Sequence, residues 1–171
     1  MGKRIIDFLY SFLINNVASS INQSTRDYIY KIVKFSNSSV NIRSKCYFQS
    51  PFTIEFGRNI FINKNCRFYN GYGQDNARVI IHDNVTIGFD NVFVTTSHKI
   101  GESKYRADYM DYYCSPIEID DGVWITTNCT ILPGVHIGRG CIIAAGAVVI
   151  NDCEPNYLYG GVPAVKIRKL D

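Results

Sequence analysis

The stretch IEIDDGVWITTNCTILPGVHIGRGCIIAAGAVVIND, residues 117–152, decides the fold. Within it one residue class returns every six positions: Ile119, Ile125, Ile131, Ile137, Ile143 and Val149. About a quarter of the chain is Ile, Val or Leu, so six hits in six slots arise by chance on the order of once in several thousand. Two positions before each lies a second apolar or small slot: Ile117, Val123, Cys129, Val135, Cys141 and Ala147. Strand side chains alternate faces, so a pair such as Cys129 and Ile131 points one way and forms a short inward-facing strand. Three positions after each aliphatic slot comes Gly122, Asn128, Gly134, Gly140, Gly146 or Asp152. These residue types best tolerate the left-handed backbone of a corner.

The same unit recurs upstream in shifted registers. Ile81, Ile87 and Phe93 keep the spacing, with Asn84 and Asp90 at the corners. Ile62 and Phe68 flank Asn65, and Ile42, Phe48 and Ile54 form a first run with weaker corners. Sandwiches and barrels place turns about every eight to twelve residues. A turn every six, sustained over six units, specifies a solenoid instead. The expected architecture is an all-β solenoid over residues 36–154, interrupted at 69–78 and by one long protruding loop, 99–115, that is polar and rich in Tyr.

Residues 1–35 lack the six-residue period. Ile5, Phe8, Leu9, Phe12 and Leu13 recur at helical spacing, as do Tyr28, Ile29, Ile32 and Val33. They read as one or two amphipathic helices. These either cap an open solenoid end or, with Lys3 and Arg4 as anchors, touch a membrane surface. Residues 155–171 form a tail carrying the basic Lys166, Arg168 and Lys169.

A length of 171 residues fits one domain, and 18 basic against 15 acidic residues leave a net charge of +3. That is too weak an imbalance to argue for nucleic acid. The apolar run from Ile5 to Ile14 is too short to span a bilayer, is broken by Asp7, and has no small-residue cleavage site after it. A cytoplasmic location is therefore expected. Six cysteines would staple a small secreted domain. Here Cys46, Cys66, Cys129, Cys141 and Cys153 fall in the small inward slot, where a thiol packs like Val or Ala. They read as reduced core, and Cys114 alone lies outside the run.

The run from Ile119 to Val149 resembles the hexapeptide-repeat acyltransferases. The tail Gly160-Gly161-Val162-Pro163-Ala164-Val165-Lys166-Ile167-Arg168 resembles their C-terminal signature. His98, the loop after it and Val123-Trp124-Ile125 are similar to the galactoside and maltose O-acetyltransferases and to acetyltransferases of surface-polysaccharide biosynthesis. The resemblance implies a left-handed parallel β-helix of three hexapeptides per triangular coil. It also implies acetyl-CoA as co-substrate, no metal, and a homotrimer with active sites between subunits.

Of the three histidines, His82 and His136 point outward from regular coils and read as surface residues. His98 ends a coil just before the long loop, and the resemblance makes it catalytic. A neutral imidazole there would take the proton of a sugar hydroxyl as the oxygen attacks a thioester. The resemblance places the acceptor near Asn70 (or Tyr69, across a one-residue gap), Asn76, which stands where relatives carry an acid, and Tyr112. The loop's Tyr105, Tyr109, Tyr112 and Tyr113 either meet sugar faces or simply pack the loop.

For acetyl-CoA the resemblance implicates Trp124 by the thioester, Thr126 in place of a usual glycine, Thr127, Ala145, Ile150 in place of a usual Thr or Ser, and Asn151. Pro163, Lys166 and Arg168 would lie by the CoA nucleotide, where cations pair with phosphate. Three other readings compete. One is N-acylation of an amino-sugar nucleotide, again with His98. Another is a non-catalytic β-helix scaffold. The third is a zinc hydratase on the same fold, which needs three converging histidines, whereas these three are far apart in sequence.

Overall fold

The computed structural model describes residues 9, 12–17, 39–71, 74, 76–104, 106 and 111–171. From residue 40 the chain winds in coils of three short strands. The first coil holds β1 (Val40–Ile42), β2 (Tyr47–Phe48) and β3 (Ile54–Phe56); the second holds β4 (Ile60–Ile62), β5 (Arg67–Tyr69) and β6 (Val79–Ile81). The third opens with β7 (Thr86–Ile87) and β8 (Val92–Val94), leaves through a hairpin of β9 (Thr96–His98) and β10 (Tyr112–Cys114), and closes with β11 (Ile117–Ile119). The fourth holds β12 (Trp124–Ile125), β13 (Thr130–Ile131) and β14 (His136–Ile137). The fifth holds β15 (Ile142–Ile143), β16 (Val148–Val149) and Cys153, which bridges Ile137 in parallel. β17 (Tyr157–Gly161) then stacks on β15 and folds back antiparallel against β18 (Ala164–Lys169).

Stacking the coils makes three parallel sheets: β1-β4-β7-β12-β15-β17, β2-β5-β8-β13-β16 and β3-β6-β11-β14. In the regular coils, register partners lie eighteen residues apart: Glu118 beside His136, Trp124 beside Ile142, Thr130 beside Val148. Three six-residue units therefore complete one turn of the chain, as the period requires.

The inward slots are the core. Ile119, Ile125, Ile131, Ile137, Ile143 and Val149 are at most 1% exposed, and their partners Ile117, Val123, Cys129, Val135, Cys141 and Ala147 at most 2%. The corners at Gly122, Asn128, Gly134, Gly140 and Gly146 have φ between 57° and 83°. Asp152 departs from this: its φ is not positive, and its carboxylate accepts the His136 N–H at 2.8 Å. Asn156, at φ 62°, takes the left-handed step instead as the chain leaves the last coil. In the first run the corner falls on Lys45, at φ 62°. There the winding of the coil imposes a conformation that the residue type does not advertise.

The five slot cysteines are buried, and none of the six cysteines forms a disulfide. They are more than apolar fillers. The Sγ of Cys46, Cys66, Cys129 and Cys141 donates to the carbonyl oxygens of Asn63, Gly88, Ala144 and Glu154 at 2.9–3.2 Å. A valine or alanine would leave those carbonyls without this donor. Burial pushes the thiols of Cys129, Cys141 and Cys153 up, the last to about 12, so at neutral pH they remain S–H.

Two features tie the lower coils together. Phe48, Phe68 and Phe93 form a fully buried column, with ring centroids 4.9 and 4.5 Å apart and interplanar angles of 18° and 5°. Asn91 occupies an inward slot, fully buried, and its amide spans two coils. Nδ2 donates to the carbonyls of Gly88 (2.9 Å) and Thr126 (2.8 Å), and Oδ1 accepts the Cys129 N–H at 2.8 Å. Asn91→Ala strands those buried groups. It should lower unfolding free energy by about 1–3 kcal/mol, read as a shift of the denaturant midpoint.

Only part of the expected N-terminal helical segment falls among the described residues. Leu13–Val17 forms a π-helical turn, with Ile14 fully buried in the core. The Asn15 side chain pairs twice with the backbone of Phe48: Oδ1 accepts its N–H and Nδ2 donates to its carbonyl, each at 2.7 Å. Ile5, Phe8, Tyr28, Ile29, Ile32 and Val33 lie outside the described residues. Among the described residues no helix is long and apolar enough to cross a membrane.

Candidate active site

The corner after β8 is where the solenoid wall opens. Thr95 is fully buried there, its hydroxyl donating to the Ala77 carbonyl at 3.3 Å, and from it the chain turns out into β9. Antiparallel pairing sets His98 opposite Tyr112 and Thr96 opposite Cys114. The hairpin continues past His98: Lys99 N–H donates to the Asp111 carbonyl at 3.0 Å, and Lys99 Nζ meets the Asp111 carboxylate at 2.7 Å.

The first interruption folds against this hairpin. Gln74 Nε2 donates to Tyr112 Oη at 2.7 Å, and Gln74 Oε1 accepts from Cys114 Sγ at 2.8 Å. Asn76 Nδ2 donates to the Cys114 carbonyl at 3.3 Å. Between the two insertions lies a cavity of 310 Å³, walled by Thr96, Ser97 and His98 of β9, Tyr112 of β10, and Gly71, Gln74 and Gln49. Gly71, at φ 65°, is needed in that wall, since a Cβ there would meet the Ala77 Cβ at 2.7 Å. The lining offers amides, hydroxyls, a phenol and one imidazole. Such groups can hold a hydroxylated molecule and move a proton at its edge.

The expected acceptor residues separate. His98 and Tyr112 line the cavity. Asn70 does not: it is fully buried, with Nδ2 donating to Ser50 O (2.6 Å) and Thr53 Oγ1 (2.7 Å) and Oδ1 accepting the Ser50 N–H (3.1 Å). Its amide is spent on joining the first two coils, directly behind Gly71. The alternative, Tyr69, is exposed and packs on Tyr47, with ring centroids 5.8 Å apart. Asn76 is exposed and braces β10 rather than the cavity. Tyr105 and Tyr109 lie outside the described residues. Gln49, Gln74 and Ser97 were not expected. Gln74 sits in an interruption, where no period marks its place.

The expected acetyl-CoA residues occupy separate edges of one chain. Trp124, 48% exposed, points outward from the first sheet. Thr126 and Thr127 follow at the next corner, with Ala145 above Thr127, whose carbonyl accepts the Gly146 N–H at 2.9 Å. Thr126 Oγ1 donates to the Ile143 carbonyl at 2.7 Å, binding coil to coil. Ile150 and Asn151, both exposed, lie at the following corner, past β16 and in line with the hairpin of His98. Pro163 and Arg168 are exposed on the β17–β18 hairpin. Lys166 contacts Glu154 at 2.5 Å and lies 4.4 Å over the Tyr157 ring; the Glu154 hydrogen bond raises its pKa. The two groups, one around Trp124 and one around Ile150, do not meet within a single chain.

His82 and His136 point outward, as expected. His82 pairs with Glu118 at 2.9 Å and His136 with Asp120 at 3.0 Å. The hydrogen bond to Asp120 raises the His136 pKa. Far apart in sequence, they sit on either side of β11 on one sheet face.

Residues 116–151 match the model of the bacterial transferase hexapeptide family, six repeats. The chain belongs to the hexapeptide-repeat acyltransferases. Along 99% of its length it superposes, with a TM-score of 0.79 and 31% identity, on 88% of a hexapeptide-repeat acetyltransferase from Vibrio cholerae solved with acetyl coenzyme A. The family match and this likeness imply the left-handed winding of the β-helix. A Schizosaccharomyces pombe protein named for acetyl transfer is 38% identical over 135 residues, 79% of this chain, and this chain spans 62% of that relative's length. Galactoside O-acetyltransferase of Escherichia coli is 34% identical over 125 residues, covering 73% of this chain and 58% of that protein.

Proposed function

We propose that the chain is an acetyl-CoA-dependent O-acetyltransferase that acetylates a hydroxyl of a sugar or surface-polysaccharide precursor. The observation that carries this reading is the cavity beneath the β9–β10 hairpin, with His98 at its rim and uncharged hydrogen-bonding groups around it. The V. cholerae neighbour with bound acetyl-CoA and the E. coli galactoside O-acetyltransferase support both halves of the reaction.

In this mechanism His98 accepts the acceptor's hydroxyl proton as its oxygen attacks the thioester carbonyl carbon. The tetrahedral intermediate collapses, the C–S bond breaks, and the CoA sulfur leaves with the proton that His98 held. Tyr112 and Gln74, hydrogen-bonded to each other, hold one side of the acceptor site.

In this reading the working unit is a homotrimer, which the placement of Trp124 and His98 on different edges of one chain supports. The outward rows support this. The first sheet presents Asn41, Phe61, Thr86, Trp124, Ile142 and Leu158, and the second Tyr47, Arg67, Val92, Thr130 and Val148, whereas the third presents Glu55, Ile80, Glu118 and His136. Two mostly apolar faces suit subunit contact, and the charged one suits water. Pro163, Lys166 and Arg168 would reach the CoA nucleotide, and the acetyl-CoA supply assigns the reaction to the cytoplasm.

The test is a transfer assay with labelled acetyl-CoA against paired acceptors, galactosides and maltose on one side and amino-sugar nucleotides on the other. Ester-linked, alkali-labile label on the sugars is expected. Label appearing only as alkali-stable amide would replace this reading with N-acylation, and no transfer alongside no acetyl-CoA binding would favour a scaffold.

A further inference from the structure

We propose that the outer face of the third sheet is a zinc-class metal site in which His82, Glu118, Asp120 and His136 clamp three successive coils. The four residues come from adjacent rungs: His82 directly follows β6, Glu118 lies on β11 with Asp120 directly after it, and His136 lies on β14. Neighbouring strands stand about 4.8 Å apart, so outward side chains on adjacent rungs reach a common ion. The ligand atoms of His82, Glu118 and Asp120 all lie within 4.8 Å of one another. His82 Nε2 is 2.9 Å from a Glu118 oxygen, and His136 Nε2 is 3.0 Å from an Asp120 oxygen. A tetrahedral ion with ligand bonds of about 2.0–2.2 Å needs its ligands roughly 3.3–3.6 Å apart. His82, Glu118 and Asp120 form the converging set, and His136, in contact with Asp120, would turn in as the fourth ligand.

The charge balance points the same way. Glu118 and Asp120 are two residues apart on one strand face, so their carboxylates repel, and with both imidazoles neutral the patch carries two negative charges. A divalent ion cancels them. Two further acids border the patch: Asp152, whose carboxylate accepts the His136 N–H at 2.8 Å, adds negative charge beside it, and Glu55 is paired with Arg78. Two imidazoles with two carboxylates suit zinc and its neighbours among the transition metals, whereas calcium and magnesium favour oxygen-only shells. The side chains are 29–47% exposed, so an ion can enter from solvent. None of the four lines the cavity of His98, so the site stands apart from the transfer reaction.

The test is calorimetric titration of the chelator-treated full chain with zinc chloride, repeated with cobalt, whose visible absorption reports tetrahedral coordination. One ion per chain is expected, with a higher melting temperature on saturation. His82→Ala and Glu118→Gln should each weaken binding by about tenfold or more, and His98→Ala should not. Glu118→Gln keeps size and shape, so its loss of affinity cannot be ascribed to misfolding when the circular dichroism spectrum is unchanged. No saturable binding below millimolar zinc, or binding that both substitutions leave intact, overturns the proposal.

Discussion

Replacing His98 with alanine is expected to slow acetyl transfer by about 10²–10⁴-fold, the usual worth of a positioned general base. The loss should fall on kcat, because the imidazole acts on a proton that moves only in the transition state. The fold should not change. His98 is exposed on the β9–β10 hairpin, and the core beneath it ends at Phe93 and the buried Thr95. Steady-state rates with labelled acetyl-CoA, alongside far-ultraviolet circular dichroism and sedimentation, check both halves of the expectation. Wild-type turnover in the alanine variant would remove His98 from the mechanism and leave the cavity as a binding site only.

Phe68→Ala is expected to be the costliest core truncation, at about 3–5 kcal/mol. Phe68 is the middle ring of a three-ring column and the only one stacked on both sides, 4.9 Å from Phe48 and 4.5 Å from Phe93. Parallel pairing fixes the backbones of β2, β5 and β8 at their rung spacing, so the walls cannot close over the void. Against a typical total of about 5–15 kcal/mol, that is a large share. Denaturant unfolding checks it. A loss under about 1 kcal/mol would mean that the lower coils repack and the column is not a rigid spine.

The repeat was legible because each slot asks for one elementary property. Ile119 and its successors had to be bulky and apolar, and Gly122 or Asn128 had to tolerate a positive φ. Lys45 shows the limit: a corner can be imposed by the coil on either side of it. Cys66 and Cys141 were readable as core, but their hydrogen bonds to Gly88 and Glu154 were not, because Gly88 comes from the next coil and Glu154 from beyond the last repeat. Asn91 carried a usable signal, a polar residue in an inward slot. Asn70 was the opposite case, matched by position to an acceptor site while its amide is fully occupied by Ser50 and Thr53. The cavity's other wall was unreadable, since Gln74 belongs to an interruption without a period. The wide separation of Trp124 from His98 follows only once each is assigned to its own edge of the prism.

A stack of coils whose top surface matches its bottom surface has no built-in reason to stop growing. The strand β2 is the edge of its sheet, and its open side is met by Asn15, whose amide offers the Phe48 backbone one acceptor and one donor as a neighbouring peptide group would. One side chain thus impersonates the next rung. At the far end β18 runs antiparallel across β17, a direction that an incoming parallel coil cannot copy. Addition of a further coil is opposed at the β2 edge and at the β17 edge by residues outside the repeat, so these terminators, and not the hexapeptides, mark where those two sheets stop.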